Sequence, residues 1–264
     1  MPLLHIIVLA IIQGITEFLP ISSSGHLVLT PGLMGWRDQG LTIDVAVHVG
    51  TLFAVVVYLW REVWSVIRGL ARLFTGKIDD GARLAGIIAI ASIPVMAAGL
   101  LVKILLGDAT RAPVVIGWAF IGFGIILYLC DRFGLTIRRM THLTWGNALV
   151  IGLAQALAII PGASRAGVTI TMARILGFER RDAARFSMLL AIPAIAGAGL
   201  IQGIEVVRSG NLAILPDGML AAFFAFLTAL FAIWAMMGWL QRQSYTPFVI
   251  YRIVIGIVIL WAVA

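Results

Sequence analysis

Two short segments hold most of the side chains that could do chemistry inside an otherwise apolar chain. The first runs Gln13-Gly-Ile-Thr-Glu17-Phe-Leu-Pro-Ile-Ser22-Ser23-Ser24-Gly25-His26. Gln13 and Glu17 are four apart, so on a helix they share one face and point into the same space. A carboxylate at membrane depth is costly and by default marks a functional site with a partner. Ser22, Ser23 and Ser24 follow the break at Pro20, where a hydroxyl can cap the next half-helix, and Gly25 allows backbone angles that turn N–H groups inward. His26 adds an imidazole, which titrates near neutral pH and can pass a proton or attack phosphorus itself.

The second segment is Pro161-Gly-Ala-Ser164-Arg165-Ala-Gly-Val-Thr169-Ile-Thr171. A guanidinium stays charged and grips phosphate oxygens in a fork, so Arg165 at a half-helix N-terminus, flanked by Ser164 and Thr169, suits an anionic ligand. The alternative is an Arg165–Glu17 ion pair of purely structural value. If the segments converge on an anion, Glu17 repels it unless a divalent cation lies between, which implies Mg²⁺ or Ca²⁺ with oxygen ligands, Glu17 among them. Asp44 and His48, also four apart, are expected at the rim of the same cavity, behind these groups. Arg174 is expected to snorkel at a hairpin end.

The elements that must position these residues follow from composition. The chain has 264 residues, 61% hydrophobic and 12% charged, with mean hydropathy +1.06. A soluble domain carries roughly 25% charged residues, so the chain is expected to be an all-α polytopic membrane protein in the lipid bilayer. Spans are expected at about 44–60, 84–106, 114–130, 186–206, 218–240 and 249–264. The segments at about 8–30 and 146–176 are apolar at both ends and broken in the middle, and broken backbone is tolerated at membrane depth only where protein or water covers it. Both are expected as re-entrant helical hairpins. Cys130 is the only cysteine, which excludes an intramolecular disulfide.

Charge sets the expected topology. Arg61, Arg68, Arg72, Lys77 and Arg83, then Arg132, Arg138 and Arg139, then Arg180, Arg181 and Arg185 belong in the cytoplasm, while Arg37, Arg111 and Arg208 occupy the opposite loops. The net charge of +7 is thus explained without nucleic acid as a partner. Three spans separate the hairpins, so they enter from opposite faces. A single membrane domain of two inverted repeats results, about 1–135 and 136–264. Matching Pro20–Ser23 to Pro161–Ser164 supports the repeat with one gap upstream, where Gln13 and Gln155 correspond.

The first segment resembles the (E/Q)-x-x-x-E plus S-S-x-G-H signature of bacterial undecaprenyl-diphosphate phosphatases, the bacitracin-resistance family, and the second resembles that family's P-G-x-S-R-S-G-x-T. Asp44-Val-Ala-Val-His48-Val-Gly-Thr, Ser187-Met-Leu-Leu-Ala-Ile-Pro193 and Pro247-Phe-Val-Ile-Tyr-Arg252 also look like family landmarks. The resemblance implies a prenyl diphosphate lipid substrate, with removal of its terminal phosphate at the outer face of the bacterial cytoplasmic membrane to recycle a cell-wall carrier. It implies Mg²⁺ or Ca²⁺ dependence and roles for Glu17, Ser23, His26 and Arg165, with Gln13, Ser22, Ser24, Gly25, Ser164 and Thr169 around the substrate. Gln13 stands where many members have glutamate, and Ala166 where many have serine, which leaves Glu17 the only carboxylate of the first motif. Whether Ser23, His26 or a metal-activated water attacks stays open at this level. A transporter or flippase of a lipid-linked phosphate would use a similar inverted repeat, and a homodimer is compatible with the chain.

Overall fold

The computed structural model describes residues 2–36, 40–73, 75–76, 78–105, 112–208 and 215–263. Arg37, Lys77 and Arg111 of the charge pattern, and the last residues of the expected spans 84–106 and 249–264, lie outside them. Eleven α-helices order the described residues: α1 (Leu3–Thr16), α2 (Ser23–Met34), α3 (Gly40–Tyr58), α4 (Trp60–Leu73), α5 (Asp80–Leu105), α6 (Pro113–Phe133), α7 (Trp145–Gln155), α8 (Arg165–Ile175), α9 (Arg180–Arg208), α10 (Leu215–Trp239) and α11 (Thr246–Ala262). Each expected span coincides with one of α3, α5, α6, α9, α10 and α11, and the chain is an all-α polytopic membrane protein. Four helices, the apolar parts of α5, α6, α9 and α10, are long enough to cross a bilayer alone, and α3 qualifies only together with α4. At 17 residues, α11 is short for a straight crossing.

The stretch 61–83, expected as a loop, is largely helix. α4 leaves α3 at an 89° bend. Its Trp60, Trp64, Ile67 and Leu70 are exposed at helical spacing, while Arg61 and Arg68 lie over the Trp60 and Trp64 rings at 5.4 and 4.9 Å. This is the pattern of an amphipathic helix lying in a membrane interface rather than crossing it. α4 ends against α5, where Asp79 accepts from the Ala82 N–H at 2.8 Å and pairs with Arg72.

Arg174 does not snorkel. Its side chain is fully buried, 3.0 Å from Asp131, and it donates to the carbonyls of Leu135, Gly134 and Phe178. Arg180 shares the same carboxylate at 2.8 Å, and the Tyr245 N–H donates to its other oxygen. Burial and the nearby Asp131 push the Tyr245 hydroxyl up, keeping it a neutral donor to the Arg180 carbonyl. A charged cluster at the end of α8 thus replaces the lipid-facing arginine, because four carbonyls, the Thr136 hydroxyl and a carboxylate were already waiting there.

Helices approach closely through glycine, as membrane packing favours small residues. Gly50 of α3 lies directly on the Ala222 carbonyl of α10, where a Cβ would overlap it. Gly50→Ala is therefore expected to destabilise the protein by about 1–3 kcal/mol, read as a lower thermal midpoint in detergent. An unchanged midpoint would mean that α3 and α10 part without cost.

Candidate active site

Both broken segments are helix, break, helix, and the breaks repeat one local conformation. Ser22 has φ 73° and Ser164 φ 70°, and both are non-glycine residues in a left-handed region that costs on the order of 1–3 kcal/mol unless the surroundings enforce it. Each serine is the N-cap of the second half-helix. Ser22 Oγ accepts from the Gly25 N–H at 3.4 Å, and Ser164 Oγ accepts from the Gly167 N–H at 3.0 Å. The equivalent residues are therefore Ser22 with Ser164, which places Gln13 against Gln155 with no gap. Matching Ser23 to Ser164 was one residue out of register, because prolines flank the two breaks at different points and the capping serine, not the proline, defines the turn.

The first N–H groups of α2 and α8 have no intrahelical partners and carry the positive ends of the helix dipoles. Ser23 and Arg165 open these two helices, and both line one cavity of about 450 Å³. Its polar wall is Glu17, Ser22, Ser23, Ser24, Asp44, His48, Ser164 and Arg165. Val45, Ala194, Ile195, Ala198 and Gly199 of α3 and α9 form an apolar wall.

Glu17 is the electrostatic centre. Its Oε1 receives Arg165 at 3.1 Å, and its Oε2 receives the Ser23 hydroxyl at 2.6 Å and the Gln13 amide at 2.9 Å. His48 Nε2 stands 3.8 Å from the same Oε2. His48 Nδ1 faces the Asp44 carbonyl oxygen at 2.7 Å, which can only accept, so in the neutral ring Nε2 is the free basic nitrogen turned toward Glu17. Arg165 also donates to the Ser187 carbonyl at 3.3 Å, and Thr169 beneath it donates to the Ser187 hydroxyl at 2.7 Å.

Not every candidate reaches the cavity. Gln13, Gly25 and Thr169 support it from behind; a Cβ on Gly25 would lie 2.5 Å from the Phe120 ring, so the glycine admits that ring. His26 is turned away. Its Nδ1 donates to the Ser22 carbonyl at 2.7 Å, and its Nε2 accepts from the Tyr251 hydroxyl at 2.6 Å. Asp44 and His48, expected behind the site, are on its wall. Ser187, Tyr251 and Arg252 contact site residues or the breaks, where the sequence marked them only as parts of family landmarks with no role at the site. Arg252 carried a usable signal, since it is a charge inside the apolar run of α11.

Among the described residues, no three His, Cys, Asp or Glu side chains group closely enough to hold a metal ion by themselves. Two carboxylates on the cavity wall, Glu17 and Asp44, are nevertheless the kind of donor a Mg²⁺ shared with phosphate oxygens requires.

Comparison with known proteins bears on the whole of this arrangement. Residues 6–258 match the family described as Bacitracin resistance protein BacA. A protein named undecaprenyl-diphosphatase from Roseobacter denitrificans is 50% identical over 262 residues, covering 98% of each chain. Undecaprenyl-diphosphatase 1 from Rhodospirillum rubrum is 49% identical over 267 residues, covering 98% of this chain and 95% of the other. One from Chromohalobacter salexigens is 44% identical over 262 residues, covering 99% of both. With the match running through both capped breaks and on into α11, the chain belongs to the bacitracin resistance protein family.

Proposed function

We propose that the chain is an undecaprenyl-diphosphate phosphatase of the bacterial cytoplasmic membrane, with its cavity open to the outer face. The observation that carries this reading is the contact of Glu17, from one broken segment, with both Ser23 and Arg165 at the two half-helix N-termini. An acid, a hydroxyl and a guanidinium converge there beside an apolar wall suited to a prenyl chain. Residues about 1–135 and 136–264 are read as two inverted copies whose breaks meet to make the site.

Phosphoryl transfer demands little beyond positioning and charge stabilisation. Arg165 and the first N–H groups of α2 and α8 hold the terminal phosphate. The Ser23 oxygen attacks phosphorus as its proton passes to Glu17 Oε2, the bond to the bridging oxygen breaks, and undecaprenyl phosphate leaves with that electron pair. Water then attacks the phosphoserine, His48 Nε2 takes its proton, Glu17 returns the first proton to the Ser23 oxygen as that P–O bond breaks, and inorganic phosphate departs. Glu17 and Asp44 would hold a divalent cation, Mg²⁺ or Ca²⁺, against the diphosphate, where it would offset phosphate charge and spare Glu17 the repulsion. Ser23 is preferred to His26 as nucleophile because His26 already uses both ring nitrogens away from the cavity.

Purified protein should release phosphate from undecaprenyl diphosphate without any gradient, and a chelator should suppress that release; a carrier would bind the lipid without turnover. Ser23→Ala should lower kcat by at least about 1000-fold, while His26→Asn should cost much less. A trapped phosphoenzyme carrying its phosphate on His26 would reverse that assignment. Arg165→Ala should lower kcat/KM by about 100-fold or more, whereas Arg208→Ala, at the exposed end of α9, should leave it unchanged. Equal activity in these two variants would remove the anion site from this cavity.

A further inference from the structure

Arg252 of α11 is fully buried, and it touches neither the cavity nor a carboxylate among the described residues. Its partners are all neutral backbone oxygens. Nη1 donates to the Pro20 carbonyl at 3.1 Å; Nη2 donates to Gly162 at 2.9 Å, Ala163 at 3.1 Å and Ala119 at 3.2 Å; Nε donates to Phe120 at 3.2 Å. Pro20 belongs to the first break, and Gly162 and Ala163 belong to the second. One guanidinium therefore holds the chain just before each capping serine, two residues ahead of Ser22 and immediately ahead of Ser164.

Room has been made for it. A Cβ on Gly167 would come 2.7 Å from Arg252 Nη1, and one on Gly124 would come 3.3 Å from Arg252 Cβ. The preceding residue of α11 repeats the theme, since Tyr251 donates to His26 in the first turn of α2.

A buried, unpaired cation is expensive, and a hydrophobic residue would fill the same space at less cost. Stability alone does not account for it. We infer that Arg252 is a positioning residue for phosphoryl transfer, fixing the two breaks against each other so that Ser23 and Arg165 reach the same phosphate. This rests on the proposed activity. A lysine there keeps the charge but offers three donors from one point, too few and too compact for carbonyls spread over three elements.

The test compares Arg252→Met, Arg252→Lys and Gly167→Ala with Arg174→Met, which empties the other fully buried arginine site, far from the cavity wall. Two quantities are measured on each purified protein: kcat and KM for undecaprenyl diphosphate, and amide hydrogen exchange over residues 18–26 and 160–168. Arg252→Met should lower kcat by about 100-fold and deprotect both breaks together. Arg252→Lys should recover part of each, and Gly167→Ala, which displaces the guanidinium, should reproduce the paired deprotection if Arg252→Met does not fold. Arg174→Met should lower the melting temperature while leaving kcat and both breaks as in the wild type. Deprotection of one break alone, or a kcat loss in Arg252→Met no greater than in Arg174→Met, overturns the inference. Wild-type protein that releases no phosphate would refute the activity instead, and the exchange data, which need no substrate, would still decide what Arg252 holds.

Discussion

A helix broken inside a hydrocarbon layer leaves carbonyl groups with nothing to accept from unless the protein supplies donors, and in this chain Arg252 meets that demand at both breaks. The rest of the site hangs on this. Ser22 and Ser164 are held at positive φ, a conformation that neither would keep in a free peptide, and from it α2 and α8 start with their N–H groups facing one cavity. Local capping by the serines directs each half-helix. The shared guanidinium ties the backbone of one break to that of the other, beside the Arg165–Glu17 contact across the cavity.

Inside that frame the charges are arranged for reactivity rather than for stability. Glu17 is buried, and removing a carboxylate from water costs more than one ion pair returns. It is therefore surrounded by four groups, Arg165, Ser23, Gln13 and His48, from three separate regions of the chain. Each of the first three donates to an oxygen that an incoming phosphate could also occupy, so the resting contacts are ones that a substrate can exchange. The cluster of Asp131, Arg174 and Arg180 offers the contrast. Arg174 there is enclosed by backbone carbonyls as well as the carboxylate, Arg180 adds a second bond to that carboxylate, and the cluster faces no part of the main cavity. One cluster faces the main cavity and the other braces the end of α8, although both pair arginine with a carboxylate.

Much of the fold was legible because the bilayer simplifies the code. Long uncharged runs can only be helices, and all six expected spans fall on helices. α4 was missed because its arginines were counted as loop charge, while the three-to-four spacing of Trp60, Trp64, Ile67 and Leu70 went unweighed. The helix counts for crossing differ for a related reason. Apolarity marks burial in lipid but does not say whether a helix runs straight through, and after the 89° bend at Tyr58 the chain packs as α4 on α5 while α3 packs on α10 and α9.

By itself the sequence determined the class of protein, the two breaks, and the identity of Glu17, Ser23 and Arg165 as the groups worth bringing together, since each is a polar side chain stranded where only a partner can justify it. It also pointed to a serine cap on the first half-helix without choosing among Ser22, Ser23 and Ser24, a choice that the structure made for Ser22. Tertiary structure decided the direction in which each side chain points. It turned His26 onto Tyr251, brought His48 and Asp44 onto the cavity wall, and set Arg252 beneath both breaks. Those choices depend on contacts between residues far apart in the chain, 225 positions for His26 with Tyr251 and 89 to 232 for Arg252 with the two breaks, and local spacing carries no information about which distant carbonyl or hydroxyl will be the partner.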